Sequence, residues 1–152
     1  MSPMSRHIVS ALFIALSLAA CGGAVEDTRP GQPVKHRQDA FKAILRVFEP
    51  MGVMLRDGKY QADKFASLAG ELVAKREAPW GHFGADTNYP PTKAKAAVWS
   101  DAAAFERERQ GFFAATDALM AAAQTRDPVQ AKAAYDKVYG SCKSCHDGFK
   151  QK

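Results

Sequence analysis

The sequence predicts an all-α protein that folds as an up-down-up-down antiparallel four-helix bundle. Apolar residues recur at steps of three and four, and no stretch alternates apolar and polar residues over the length of a strand. The chain after residue 20 contains 24 alanines and few β-branched residues, a composition that favours helix. Its 152 residues are enough for one domain with a tail and too few for the large α/β enzyme folds.

The first two helices are predicted at 34–56 and 61–77. Apolar side chains of the first helix fall on one face, at Phe41, Ile44, Leu45, Phe48 and Met51. Pro50 lies inside this segment and is expected to bend the helix or break it locally, because proline has no amide hydrogen. A short turn at Asp57-Gly58 follows, so the two helices should be antiparallel neighbours.

The second pair of helices is predicted at 93–125 and 128–150. Asp127 followed by proline is a strong helix start, with aspartate as the N-cap and proline at the first helical position. The stretch 79–91 is rich in proline and glycine and is expected to form a long ordered loop. Four apolar residues of the third helix lie seven positions apart, as bundle packing requires: Val98, Phe105, Phe112 and Leu119.

Residues 1–20 are typical of an export signal. Arg6 precedes a stretch of 13 mostly apolar residues, which is too short to span a bilayer permanently. The stretch ends in Leu-Ala-Ala directly before Cys21, which resembles a bacterial lipobox with a cysteine that becomes lipidated. Residues 21–33 would then form a flexible tether. Glycine at position 22, where an aspartate would indicate inner-membrane retention, favours a periplasm-facing anchor at the outer membrane of a Gram-negative bacterium. A plain secretory peptide with an incidental cysteine is the alternative.

The positive charge of the chain gives no sign of nucleic-acid binding. The formal charge of +5 falls to +4 without residues 1–20, with 20 Lys+Arg against 16 Asp+Glu. Acidic and basic residues are interleaved along the chain, as in Phe105-Glu106-Arg107-Glu108-Arg109. This pattern predicts a solvated helix face rather than a basic stripe.

A C-x-x-C-H motif, Cys142-Lys143-Ser144-Cys145-His146, lies in the last predicted helix. Cysteines three positions apart on a helix share a face, so both can form thioether bonds to one haem. The adjacent histidine can bind the iron from one side. The motif therefore predicts one haem c, linked to Cys142 and Cys145, with its iron bound by His146.

The motif fits three further kinds of site less well. A thioredoxin-like dithiol would need a βαβ context, which the pattern lacks. A zinc site needs four ligands, and the remaining histidines after residue 20, His36 and His82, have no paired spacing. A disulfide between residues three apart within a helix has poor geometry.

A haem motif at the C-terminal end of a four-helix bundle resembles cytochrome c′, a family of class II c-type cytochromes. The resemblance covers residues 34–152. It implies that His146 is the single proximal ligand, with a basic residue, Lys150, beside it where the family usually has arginine. Further matching segments are Val34-Lys35-His36-Arg37-Gln38, Pro79-Trp80, Phe83-Gly84, Trp99-Ser100-Asp101-Ala102-Ala103 and Phe149-Lys150.

The same resemblance places several more side chains around the haem. It implies that Arg37 and Gln38 lie near the propionates and that Trp80 lies against the haem edge. The alternatives are a surface salt bridge for Arg37, simple core filling for Trp80, and a solvated position for Lys150.

Position 41 decides how many ligands the haem iron has. Low-spin relatives in this fold place a methionine there, whose sulfur binds the iron, whereas phenylalanine cannot be a ligand. The resemblance therefore implies a five-coordinate, high-spin haem with Phe41 over an apolar distal pocket. Simple packing is the alternative role for this side chain.

An open iron position under an apolar side chain indicates binding of small uncharged gases. We expect nitric oxide to bind, CO to bind more weakly, and the protein to sequester nitric oxide rather than act as an enzyme. The alternatives are a periplasmic electron carrier and, less supported, a weak peroxidase or nitric oxide reductase. The family also implies a homodimer formed through the first helix, to which Phe48, Val53 and Leu55 are candidate contributors.

Overall fold

The computed structural model describes residues 25–152, and the predicted signal segment and Cys21 lie outside that range. The element order is α1 Pro33–Arg56, α2 Ala62–Lys75, a 3₁₀ turn Trp80–His82, α3 Ala97–Ser100, α4 Ala102–Gln124 and α5 Pro128–Phe149. The four long helices pack in sequence, α1 on α2, α2 on α4 and α4 on α5, and α5 also contacts α1. The predicted antiparallel four-helix bundle is confirmed.

Helix α1 runs unbroken through Pro50, so the expected local break is absent. Proline removes one amide donor from the helix, but the residues around it hold the helix in place by packing. Phe48, Met51 and Met54 are all buried in the core on the same side of α1. Their burial compensates for the lost hydrogen bond.

The start of α1 is held by a residue of the predicted tether. Asp27 is 2% exposed, and its carboxylate accepts hydrogen bonds from the Val34 and Lys35 amides at 2.9 and 3.2 Å and from the Tyr89 hydroxyl at 2.9 Å. The chain is therefore attached to the bundle at Asp27, within the segment 21–33 that the sequence suggested to be flexible. The carboxylate serves α1 as an N-cap from outside the helix.

The predicted third helix, 93–125, is divided in the structure. Residues 93–95 pair with the end of the chain, where the Lys95 amide donates to the Phe149 carbonyl at 2.8 Å and the Gln151 amide to the Lys93 carbonyl at 2.7 Å. Helix α3 then stops before Asp101, whose side chain accepts from an amide of the next turn at 3.1 Å and caps α4. The break follows from the preference of aspartate for the N-cap. The predicted start of α5, with Asp127 as N-cap, is confirmed.

The core separates the candidate interface residues of α1. Phe48 is 5% exposed and stacks on Tyr135 with ring centroids 4.3 Å apart, whereas Val53 is 44% exposed. Leu55 is only partly buried at the edge of the core.

Gly52 leaves room for Tyr135, because a Cβ at this position would lie 2.2 Å from the Tyr135 Oη. Within residues 25–152, no helix is both long enough and apolar enough to cross a membrane.

Candidate haem-binding site

The two motif cysteines lie one turn apart on α5 and point toward the bundle. Both are partly buried and neither is in a disulfide, and Cys142 packs against the hydrophobic core. Burial raises the pKa of Cys142, and burial together with the charge of Glu108 raises the pKa of Cys145 to about 11. A redox dithiol needs a lowered thiol pKa, so these protonated thiols argue against the thioredoxin-like alternative.

His146 offers a neutral imidazole to the same region. Its side chain is exposed in the protein chain alone, and no hydrogen bond among the described residues engages its ring. Partial desolvation, followed by the positive charge of Lys150, lowers the pKa of His146. A lowered pKa keeps the imidazole uncharged at neutral pH, which is the form that binds a metal. Lys150 is exposed and closes α5 with its amide donating to the His146 carbonyl at 3.1 Å.

A row of partly buried rings connects α1 to the end of α5. Phe41 contacts Trp80 edge-on at a centroid distance of 5.5 Å and Phe83 at 6.4 Å. Phe83 contacts Phe105 at 5.0 Å, and Phe105 contacts Phe149 at 5.3 Å. We call these five residues the aromatic wall; each keeps some exposure to solvent. The wall places Phe41 and the haem motif at the same end of the bundle.

Trp80 belongs to this wall and to the core at once. Its Nε1 donates to the Arg76 carbonyl at 2.6 Å, which fixes the orientation of the indole. The ring also contacts Phe112 and Phe113 at 6.2 and 6.0 Å. The indole therefore fills the core, as the packing alternative expected, while part of it stays exposed along the wall.

Arg37 is an internal anchor for the loop and not a surface ion-pair partner. It is 3% exposed, and its Nη1 donates to the His82 carbonyl at 3.0 Å and to the Thr87 Oγ1 at 2.9 Å. Its Nη2 donates to the Thr87 carbonyl at 3.0 Å and to the Thr92 Oγ1. Because these four bonds use the N–H groups of both terminal nitrogens, the surface salt-bridge alternative is wrong.

Gln38 extends the same anchor. Its Nε2 donates to the Pro91 carbonyl at 3.3 Å, and the Arg37 guanidinium lies 4.7 Å from the Phe83 ring centroid. Together the two side chains hold the loop 82–92 onto α1. In the protein chain, both therefore lie beneath the loop that supports the aromatic wall.

Sequence reasoning missed Arg109. The charge pattern predicted a solvated residue, but its guanidinium lies 5.0 Å from the Phe113 ring centroid and 5.9 Å from that of Trp80. Its terminal nitrogens form ion pairs with Glu77 and Glu106, whereas its buried Nε has no hydrogen-bond partner among the described residues. The only signal in the sequence was that Arg109 lies one helical turn after Phe105, a residue of the apolar stripe of α4. The Nε leaves one cationic N–H donor beside the aromatic wall.

These features fit a covalently bound haem. The two protonated thiols and the uncharged imidazole share the end of α5, and the aromatic wall is an apolar surface with incomplete cover. Neighbouring α4 is tied to the motif by the Ser144 hydroxyl, which donates to the Glu108 Oε1 at 2.9 Å. Cys142, Cys145 and His146 are the residues that would hold the group.

Comparison with known proteins agrees with this assignment. The family model described as Cytochrome C' matches residues 32–150. Cytochrome c′ of Rubrivivax gelatinosus is 41% identical over 129 residues, covering 82% of this chain and 98% of that protein. The protein of the same name from Cereibacter sphaeroides is 33% identical over 154 residues, covering 98% of this chain and 99% of that protein.

Solved structures extend the similarity to the fold. The Rubrivivax gelatinosus cytochrome c′ crystal structure superposes with a TM-score of 0.76 at 37% identity, over 83% of this chain and 100% of that one. A nitric oxide complex of a mutant cytochrome c prime from Alcaligenes xylosoxidans has a TM-score of 0.77 at 32% identity, over 84% of this chain and 100% of that one. The chain belongs to the cytochrome c′ family, whose members carry one covalently attached c-type haem.

Proposed function

We propose that this protein binds nitric oxide at a five-coordinate, high-spin haem and sequesters it at the bacterial cell envelope. The observation that carries the proposal is Phe41, a side chain without a ligand atom that packs against Trp80 and Phe83 in the aromatic wall. When bound, the haem supplies an iron with one open coordination position.

The motif residues act on the proximal side in this proposal. Cys142 and Cys145 would hold the haem through their sulfurs, and His146 would bind its iron. Before attachment, the raised pKa values of the thiols keep them protonated, and the lowered pKa of the imidazole keeps it neutral. Lys150 contributes a positive charge near the imidazole, without the planar fork that arginine would add.

Phe41 acts on the opposite side by keeping that region apolar. Desolvating an anion or a water molecule against aromatic rings costs free energy, so such ligands are disfavoured. A small uncharged gas can enter once the phenyl ring moves aside. CO must displace the same ring, and we expect it to bind more weakly than nitric oxide. O₂ is disfavoured because Phe41 offers no hydrogen-bond donor, and the unused Arg109 Nε lies beside Phe113 and Trp80 instead. The nitric oxide complex of an Alcaligenes xylosoxidans relative supports this ligand choice.

Electron transfer is the second candidate function. The His146 side of α5 is exposed, and Lys150 and Lys152 are exposed next to it. A haem edge near solvent and beside positive charge would suit contact with an acidic redox partner. A peroxidase or nitric oxide reductase activity has less support, because no histidine–arginine pair accompanies Phe41 on the core-facing side of α1 to cleave an O–O bond.

The location and assembly of the protein complete the proposal. Lipidation of Cys21 would anchor a periplasm-facing protein to the outer membrane. We expect palmitate to label the wild type and not a Cys21→Ser variant.

Two exposed apolar residues of α1, Leu45 and Val53, at 45% and 44% exposure, support a homodimer through this helix. Phe48 takes no part in that surface, because it is buried in the core.

The absorption spectrum of the ferrous haem-loaded protein tests the proposed function. A five-coordinate high-spin spectrum with tight nitric oxide binding is the expected result. A six-coordinate low-spin spectrum with a methionine ligand would remove the gas-binding function and favour the electron carrier. Phe41→Met is a matched variant, since it adds a sulfur at this position and should convert a high-spin spectrum to a low-spin one.

A further inference from the structure

Two histidines that are distant in the sequence lie side by side on the surface. His36 is in the first turn of α1 and His82 ends the 3₁₀ turn, 46 positions along the chain. Their ring centroids are 5.4 Å apart and their planes differ by 27°. His36 is exposed and His82 is partly exposed, so both rings are accessible to a dissolved ion.

A hydrogen bond joins the two backbone segments of the pair, whereas the rings form no hydrogen bonds among the described residues. Arg37, adjacent to His36, donates to the His82 carbonyl at 3.0 Å and so joins the two segments directly. Hydrogen bonds formed by the two histidines within residues 25–152 use their backbone groups only. The ring nitrogens are therefore available to bind a metal, and the two backbone segments that carry them are already joined.

The separation of the rings matches a shared metal ion. A Zn–N bond of about 2.1 Å puts the metal about 3.2 Å from each imidazole centroid, so rings 5.4 Å apart correspond to an N–metal–N angle of about 115°. This value is close to the tetrahedral angle. The rings are stacked, so both side chains must rotate before one nitrogen of each ring faces a shared ion. His36 is exposed and His82 is partly exposed, which leaves room for these rotations.

We propose that His36 and His82 form a surface site for a divalent transition metal that prefers imidazole, with water in the remaining positions. Imidazole nitrogen suits Cu²⁺, Ni²⁺ and Zn²⁺, and the stability order places Cu²⁺ first. Within residues 25–152 no group of three or more His, Cys, Asp or Glu side chains is arranged around a metal position, so the site has two protein ligands. The charged neighbours on α1, Lys35 and Asp39, neutralise each other in an ion pair.

Metal binding at this site would fasten α1 to the loop. His82 directly precedes Phe83 and lies two residues after Trp80, both in the aromatic wall. A bound ion would therefore add a second connection, beside the Arg37 anchor, between α1 and the segment that carries these rings. The proposal is independent of the proposed function, because it uses neither the haem motif nor Phe41.

Titration of the full haem-loaded chain with Cu²⁺, followed by electron paramagnetic resonance, tests the site. We expect one tightly bound Cu²⁺ per chain whose signal shows coupling to two imidazole nitrogens. Replacing either ligand, His36→Gln or His82→Gln, should weaken Cu²⁺ binding by more than about tenfold and should remove one nitrogen coupling. Tenfold is the lower limit because losing even a residue that only hydrogen-bonds a metal ligand typically costs that much affinity. Zn²⁺ should bind the same site more weakly, and Cu²⁺ should displace it.

Two control variants make the outcome decisive. Lys42→Gln changes an exposed charge on the same helix without touching either ring and should leave Cu²⁺ binding unchanged. Asp39→Asn removes the nearest carboxylate on α1, and a loss as large as that of the histidine variants would overturn the two-histidine assignment. The assignment would also be overturned if the wild type bound Cu²⁺ no more tightly than the His36→Gln/His82→Gln double variant does. Unchanged haem spectra and circular dichroism establish that each variant is folded.

Discussion

The two ends of the bundle are built in different ways. The end formed by the α1–α2 and α4–α5 connections has short turns and an aliphatic and aromatic interior, where Met51, Phe65 and Leu119 are fully buried at 0% exposure. The opposite end, with the haem motif, has a long loop, buried or partly buried arginines and the partly exposed aromatic wall.

The difference separates stability from ligand binding. At the turn end, local sequence signals form the tight turns, and the densely packed interior stabilises the fold. At the motif end, the loop depends on long-range hydrogen bonds from Arg37, and apolar rings keep part of their surface uncovered. We therefore expect changes at the turn end to alter stability and changes at the motif end to alter ligand properties.

The largest effect is expected for the motif cysteines. Cys142→Ser or Cys145→Ser should each break one thioether attachment, and the double variant should contain no covalent haem, because a hydroxyl does not form this bond. Mass spectrometry and the pyridine haemochrome spectrum measure the loss. Cys21→Ser is the matched control, since it also removes a thiol; loss of haem in this variant would contradict the assignment.

The next largest effect is expected at the turn end, from Gly52→Ala. The new Cβ would lie 2.2 Å from the Tyr135 Oη, whose ring stacks on Phe48 and cannot move freely. Overpacking of this kind costs about 1–3 kcal/mol in the free energy of unfolding, measurable by urea denaturation.

Gly70→Ala is the matched control for this change. Gly70 also lies within a helix, α2, but a Cβ there meets no atom within 4 Å. Alanine should therefore stabilise the helix by about 0.5–1 kcal/mol. Neither variant should change the haem spectrum, and a spectral change in Gly52→Ala would break the separation between the two ends.

A smaller effect in free energy is expected for Phe41→Ala at the motif end. If a gas must displace the phenyl ring, its removal should speed nitric oxide association by about tenfold, equivalent to about 1.4 kcal/mol of the barrier. Stopped-flow mixing of the ferrous protein with nitric oxide measures the rate. Phe48→Leu, a core substitution on the same helix, should leave the rate unchanged, and equal rates in wild type and Phe41→Ala would refute the gating role.

The smallest effect is expected for the cap of α1. Burial opposes ionisation of Asp27, but hydrogen bonds from the Lys35 amide and the Tyr89 hydroxyl outweigh it and hold the pKa of this carboxyl below its usual range. A lowered pKa in the folded state stabilises the protein above the unfolded pKa, near about pH 4, and this contribution is lost as the pH falls through the folded value.

The variant Asp27→Asn measures this contribution. Its free energy of unfolding should be lower than that of the wild type at about pH 7, and the difference should shrink as the solution is acidified below about pH 4. A difference that stays constant over this whole range would mean that the carboxylate charge plays no part in capping α1.

The sequence alone determined three of the four long helices and the single c-type haem, because both depend on local patterns. Helical periodicity and the Asp127 cap located α1, α2 and α5 to within about two residues, since these signals act through neighbouring positions. The C-x-x-C-H spacing likewise depends only on one helical turn.

Only the tertiary structure decided which distant residues meet. The expected continuous helix at 93–125 was wrong in two places. Residues 93–95 pair with the chain end, a contact that no local signal encodes, and α3 stops before Asp101, which caps α4. Burial of Arg37 and of Phe48 and the meeting of His36 with His82 also depend on long-range packing. Spacing along the chain separated the two histidines, and folding of the loop onto α1 brought them together.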